Sequence, residues 1–199
     1  TGLDPTPVIL VAPVAGGDFG ASLCTAGDVN GDGFSDVVVA APELSNGQAQ
    51  EGAIYVYRGD LFAFPTTPQF TFESGVPGRR MGAAVAGVGD VNGDGFYEVV
   101  AGAPNASNPE ANEGILYVFY GSPAGTTLVG LGAINSNVAN VRLGTSVAEA
   151  GDVNGDGYAD VIVGAPGFSN GEAGEGRALV YLGGPGGIGN RVPMEVESA

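Results

Sequence analysis

The chain contains no histidine, no tryptophan and no lysine, and only one cysteine, Cys24. Each absence removes a class of chemistry. Without histidine the commonest general base is gone. With one cysteine no intrachain disulfide can form, and no zinc site can be assembled from Cys and His. All six basic residues are arginine, set against 22 acidic ones for a net charge of −16. No basic stripe exists to follow a phosphate backbone, so nucleic acid is a poor partner, and anionic membranes are disfavoured for the same reason. No apolar run is long enough to cross a bilayer. The longest near the start, Val8 to Val14, is broken by Pro13 and lacks a basic flank, so it does not read as a signal peptide.

What the chain has in excess is acid and glycine. A cation is the natural counterpart of the acid, which also keeps a surface soluble in salt. Glycine reaches 37 residues and proline 13, without a three-residue period, while 44% of residues are hydrophobic. That combination fits many short strands joined by tight turns around a core.

Internal repetition organises these residues. Gly-Asp-Val-Asn-Gly-Asp-Gly recurs at 27–33, 89–95 and 151–157, an offset of 62 residues each time. At the same offset Phe19-Gly20 becomes Met81-Gly82 and Leu143-Gly144. Ala40-Ala41-Pro42 becomes Gly102-Ala103-Pro104 and Gly164-Ala165-Pro166, and Glu51-Gly52 becomes Glu113-Gly114 and Glu175-Gly176. Each unit reads as four strands. The first is small and apolar (Ser22–Ala26, Ala84–Val88, Ser146–Ala150). The second is Val-rich and stopped by Ala-Pro (Asp36–Ala41, Glu98–Ala103, Asp160–Ala165). The third carries aromatics (Ala53–Arg58, Ile115–Tyr120, Arg177–Leu182), and the fourth is weaker (Phe70–Glu73, Ala133–Ser136, Met194–Glu197). No segment has helical periodicity.

The expected fold is therefore all-β: three four-stranded antiparallel blades of a β-propeller, in one segment over 1–199 with repeats near 19–80, 81–142 and 143–199. Residues 8–13 sit one period before the fourth strand of the first repeat, so they read as the outer strand of a preceding or partner blade. Three blades cannot close a ring, since propellers run from about four to eight. The array is expected either to belong to a longer propeller or to close by oligomerisation. Cys24 falls in the innermost strand, where the other repeats have Ala86 and Ala148, and reads as a small core residue rather than a reactive thiol.

The Asp-rich loops carry the chemistry. Asp28, Asn30, Asp32 and Asp36 stand at loop positions 1, 3, 5 and 9. Asp90, Asn92, Asp94 and Glu98 do so in the second repeat, and Asp152, Asn154, Asp156 and Asp160 in the third. Side-chain oxygens at alternate positions of a curled loop converge, and the position-7 carbonyls of Phe34, Phe96 and Tyr158 can add one more. Calcium takes six to eight hard oxygens, whereas magnesium demands tighter octahedral geometry. Gly33, Gly95 and Gly157 occupy position 6, where the turn is sharp. This is not an EF-hand: there is no Glu at position 12, and the position-9 acid opens a strand. Three calcium sites are expected, whose six positive charges would move the net charge from −16 to −10. Glu98, one methylene longer than its counterparts, is expected to coordinate differently.

The order Phe-Gly (19–20), Asp-x-Asn-x-Asp-Gly-x-x-Asp (28–36), Ala-Ala-Pro (40–42), with 90–98 and 102–104 and then 152–160 and 164–166, resembles the FG-GAP repeat of integrin α-subunits. Met81 and Leu143 replace the phenylalanine. The resemblance implies a seven-bladed propeller with calcium in the strand 1–2 loops. It also implies protein or glycan ligands on the opposite face, made here by Glu43–Glu51, Asn105–Glu113 and Gly167–Glu175 with Val76–Arg80 and Val138–Arg142. On this footing the chain is expected to be a calcium-binding extracellular or cell-surface adhesion module, with Glu51, Glu113, Glu175, Arg79, Arg80 and Arg142 on the ligand face.

Two alternatives stay open: a lectin-like propeller, short of aromatic platforms here, and an accessory domain of a secreted hydrolase. Catalysis within the chain is not expected, because its carboxylate pairs are committed to the loops and no Ser or Cys stands in a nucleophile motif. Arg58-Gly59-Asp60, an integrin-recognition tripeptide, falls at a strand end and reads as coincidence. Asn105-Ala106-Ser107 is a glycosylation acceptor on a predicted loop.

Overall fold

A computed structural model describes residues 7–123, 129–172, 174–188 and 194–196. Twelve strands lie in chain order: β1 (Ser22–Gly27), β2 (Asp36–Ala41), β3 (Ala53–Tyr57), β4 (Phe70–Glu73), β5 (Ala84–Gly87), β6 (Val99–Ala103), β7 (Ile115–Tyr120), β8 (Val129–Asn135), β9 (Ser146–Gly151), β10 (Asp160–Ala165), β11 (Arg177–Tyr181) and β12 (Met194–Val196). They form three antiparallel four-stranded sheets ordered β1-β2-β3-β4, β5-β6-β7-β8 and β9-β10-β11-β12. The register repeats with the sequence: Val38 faces Val56, Val100 faces Val118, and Ile162 faces Val180. The innermost strands β1, β5 and β9 are neighbours, which is blade packing around an axis.

The second and third strands are apolar on both faces, and the middle blade is sandwiched between the other two. Val38, Ile54 and Val56 of the first blade meet Val99, Ala101, Tyr117 and Phe119 of the second. The other face of the second blade, with Val100, Leu116 and Val118, meets Val161, Val163, Leu179 and Tyr181. On the outer strands, Phe72 packs edge-on against Phe119 at 5.2 Å between ring centroids.

Near the axis, backbones must touch. The N–H of Gly144, in the Leu-Gly pair that opens blade three, bonds the carbonyl of Gly164 in its own blade at 3.1 Å. Its own carbonyl lies against Gly102 of blade two, where a Cβ would sit 1.9 Å from that oxygen. The two glycine landmarks of the repeat thus meet across a blade junction.

The differences from expectation are local and explicable. β3 ends at Tyr57, one residue early, because Gln69 Oε1 accepts the Arg58 N–H at 2.8 Å in place of a strand partner. β8 begins four residues early, at Val129, with a register shift opposite Phe119/Tyr120. Residues 7–12 form no strand, since this chain offers them no adjoining strand to pair with. Leu10 and Val14 pack instead on the first blade's outer cluster with Tyr55 and Tyr57. Glu197, the expected end of the last strand, lies outside the described residues. Cys24 packs on the first inter-blade cluster, and burial pushes its thiol up to about 11, which favours the uncharged thiol of a small core residue.

The axial contact yields a test. Gly102→Val forces a side chain into the Gly144 carbonyl and should destabilise by about 1–3 kcal/mol, as overpacking does. Ala40→Gly, at the equivalent position of blade one, should cost only about 0.5–1 kcal/mol. Thermal melts of the two variants should therefore differ in that order.

Candidate functional site

The three strand 1–2 loops share one hydrogen-bond design. In the first, Asp28 Oδ1 accepts from the N–H groups of Gly31 (2.7 Å) and Asp32 (3.1 Å), and Oδ2 from Gly33 (2.8 Å). Asn30 Oδ1 accepts from Asp32 N–H, and Asp32 Oδ1 from Phe34 N–H. Asp90 with Asn92 and Asp94, and Asp152 with Asn154 and Asp156, repeat these bonds within a few tenths of an ångström. Alternate polar side chains thus curl the loop around itself, and glycine at position 6 takes φ of 90–92° in all three.

Position 9 plays a different part. Asp36, Glu98 and Asp160 are fully buried. Each carboxylate accepts one amide from its own loop (Val29, Val91 or Val153) and one from the glycine just after the third strand (Gly59, Gly121 or Gly183). It anchors the loop to the blade. Glu98 keeps both bonds with its longer side chain, at 2.8 and 3.3 Å, but β6 begins only at Val99, whereas β2 and β10 begin at the position-9 acid itself. Gly59 is held by the same requirement, since a Cβ there would lie 2.5 Å from the Ser35 carbonyl. This accounts for the glycine of Arg58-Gly59-Asp60.

The donor set of each loop suits calcium: hard oxygens only, with a free lone pair remaining on each anchored carboxylate oxygen. Among the described residues, however, no three acidic side chains converge tightly enough to hold an ion. The loops close on themselves instead, with Asn30 Nδ2 donating to Asp32 Oδ2 at 2.9 Å, and Asn92 and Asn154 doing the same to Asp94 and Asp156. An entering cation would replace that contact and free a carboxylate oxygen. Burial, reinforced by the neighbouring loop carboxylates, raises the Asp36 carboxyl and pushes Glu98 up to about 8, although two amide bonds oppose it.

The loops also join blades, which the sequence alone does not reveal. The Asp28 and Val29 carbonyls accept the N–H groups of Tyr97 and Ser122 from the next blade, and the Asp90 and Val91 carbonyls those of Ala159 and Gly184. The position-7 aromatic of one loop covers the position-4 glycine of the loop before it: a Cβ at Gly31 would meet the Phe96 ring at 2.6 Å, and one at Gly93 the Tyr158 ring at 2.7 Å. The recurrence of an aromatic at position 7 was the available signal. Among the described residues the third loop has no such cover, and Val153 is 52% exposed where Val29 and Val91 are buried.

On the opposite face, Glu51 and Glu113 are not exposed ligand contacts. Both are buried. Glu51 Oε1 caps its loop by accepting the Asn46 and Gln48 amides, and Glu113 Oε2 accepts from Asn137. Glu175 accepts the Asn170 amide in the same way as Glu51 accepts that of Asn46. The backbone carbonyl of Glu51 also takes the Met81 amide, and that of Glu113 the Leu143 amide, latching each blade to the next. Arg80 is paired with Glu43.

Comparison with known proteins agrees with this repeat structure. A model of the FG-GAP repeat matches residues 19–57, 81–119 and 143–181. Integrin alpha-5 of Xenopus laevis is 33% identical over 173 residues, which is 82% of this chain and 16% of that protein. Integrin alpha-4 of Xenopus laevis is 32% identical over 154 residues, 75% of this chain and 14% of the relative. Integrin alpha-PS5 of Drosophila melanogaster is 33% identical over 162 residues, 75% of this chain and 15% of the relative. The chain thus spans only a small part of the length of these relatives.

The raised carboxyls predict an unusual pH response without metal. The unfolded chain releases the Glu98 proton near 4.5 and the folded one near 8, so this contribution to stability is complete below about 4.5 and is lost as pH rises through about 8. Thermal melts in chelator should fall across that window, and Glu98→Gln should flatten the slope. A melting temperature that rose steadily with pH would contradict the burial argument.

Proposed function

With more than half of its residues in three matched repeats, the chain belongs to the FG-GAP repeat family, and from that premise we propose that it is a calcium-binding interaction module working outside the cell or at its surface. The observation that carries the calcium reading is the threefold loop: the same alternating Asp-Asn-Asp oxygens, each set above an anchored position-9 carboxylate. Asp28, Asn30 and Asp32, with the carbonyl of Phe34 and one oxygen of Asp36, would hold the first ion. The second set is Asp90, Asn92, Asp94, Phe96 and Glu98, and the third Asp152, Asn154, Asp156, Tyr158 and Asp160. The ion would screen three carboxylates that otherwise repel one another and would stiffen the loop whose carbonyls dock the next blade.

The adhesion reading leans on the integrin α relatives, whose alignments cover most of this chain. The ligand face is the one opposite the metal loops. No catalytic role is assigned. Among the described residues no helix is long and apolar enough to cross a membrane. The two end faces of the array are halves of one junction. Phe34, Leu61 and Phe62 are exposed on the first blade, and Gly155 of the third has open space where Gly31 and Gly93 are covered by rings. Further FG-GAP blades, in a longer chain or in a second copy, would cover both end faces.

Calcium should raise the melting temperature by mass action. Each independent site at ten times its Kd adds about 1.4 kcal/mol, and a domain of this size gains roughly 2–4 °C per kcal/mol. Asp28→Ala, Asp90→Ala and Asp152→Ala should each remove one ion from the stoichiometry measured by calorimetry. Light scattering in calcium separates closure by a second copy, seen as a dimer or larger ring lost in chelator, from a monomeric segment. A melting temperature indifferent to calcium would refute the metal reading.

A further inference from the structure

The two blade junctions have the same backbone but not the same filling. At the first, Arg79 Nη1 donates to the hydroxyl of Tyr117, and Phe72 lies on Tyr117 and Phe119 at 6.0 and 5.2 Å. One period later these four residues are Val141, Leu179, Ile134 and Tyr181. An arginine, a tyrosine and a phenylalanine have given way to shorter aliphatic side chains, and a cavity of about 200 Å³ opens between β8 and the third blade. It lies on the face opposite the metal loops. Two further changes arm it. Ala106, buried at the first junction, becomes Phe168, and Ile115 becomes Arg177 at the head of β11. The Arg177 guanidinium carbon sits 3.4 Å from the centre of the Phe168 ring.

Among the described residues that line it, Arg177 is the one charged group. The polar wall is already committed to backbone: Asn135 Nδ2 donates to the Asn108 carbonyl, and Ser136 Oγ to that of Glu113. The ring beneath the guanidinium fixes its plane, and its five N–H donors can serve a protein acceptor and a bidentate ligand together. Val138, Val141 and Leu179 supply an apolar wall. The volume falls below the range of drug-sized pockets and suits a single small side chain. Just outside, exposed Arg142 corresponds to Arg80, but Asn105 stands where Glu43 pairs with Arg80, so that ion pair has no counterpart at this junction.

We propose that the cleft between the second and third blades is a carboxylate-binding pocket, in which Arg177, held flat on Phe168, receives one acid group on a short aliphatic stem. This deepens the interaction-module reading by naming the chemistry of its ligand, and it does not require the metal. The carboxylate can come from an acidic side chain of a protein or from a sugar acid.

The test is titration of the 199-residue chain with N-acetyl-glutamyl amide, its glutaminyl counterpart and glucuronate. Backbone amide shifts are followed by NMR, in excess calcium and in buffer free of carboxylates and chelators. The expected result is saturable shifts at 167–168 and 177–181 with the glutamyl compound or with glucuronate, and none with the glutaminyl compound; which acid binds identifies the source. Arg177→Gln should weaken binding at least tenfold. The pair Val141→Arg with Leu179→Tyr, which rebuilds the first junction's filling, should abolish it while the melting temperature is kept. Equal binding of the glutaminyl compound, unchanged affinity in Arg177→Gln, or absence of shifts with both acids would overturn the pocket. The calcium response of the melting temperature, measured on the same samples, is independent of all three outcomes, so failure of the pocket and failure of the metal reading are told apart.

Discussion

Contact between consecutive blades is the constraint on which the rest of the molecule depends. A four-stranded sheet with two apolar faces cannot stand alone in water, and both faces of each blade here are apolar. The demand differs with distance from the axis. On the outer strands the gap is wide and rings fill it, as Phe72 does against Phe119. Near the axis the gap vanishes, and only the absence of a side chain allows Gly102 to meet the Gly144 carbonyl. Part of the glycine content follows from this taper, beside the larger part that the turns require.

The Asp-rich loops are extensions of the same contact. Their first two carbonyls dock the next blade, and their fourth residue is roofed by the next blade's aromatic. Any ion that orders the loop therefore acts on the junction too, through backbone that both share. The buried position-9 carboxylate ties this arrangement to the third strand of its own blade. Loop, strand and neighbouring blade are thus tied together by shared backbone hydrogen bonds.

Much of this was legible because the period is regular. The 62-residue offset placed β2, β7 and β10 to the residue, and the oxygen spacing singled out the loops. What escaped depends on three-dimensional neighbours. Val-rich strands and Ala-Pro stops do not reveal that Gln69 takes the Arg58 amide and ends β3 early. Nor does an acid on a predicted loop reveal that Glu51 and Glu113 turn inward to cap backbone, because exposure is decided by the loop's own fold. Position 4 of the Asp-rich loops reads as one more turn glycine until the Phe96 ring is seen lying on Gly31.

In a repeated array, a residue that keeps the period answers a need common to all blades, and that need is architectural. The recurring glutamates obey this: each accepts a backbone amide from a nearby loop, and the carbonyls of Glu51 and Glu113 also latch the next blade. The recurring loops obey it as well, since their carbonyls dock the next blade at both junctions. Whatever is particular to one junction has to reside where the period breaks. On the face opposite the loops it breaks most densely at one junction, where Val141, Phe168, Arg177 and Leu179 replace Arg79, Ala106, Ile115 and Tyr117. Four substitutions at one junction exchange a filled contact for an open one and carry the arginine from one wall of the junction to the other. That is how a scaffold of near-identical blades acquires a surface unlike any of its repeats.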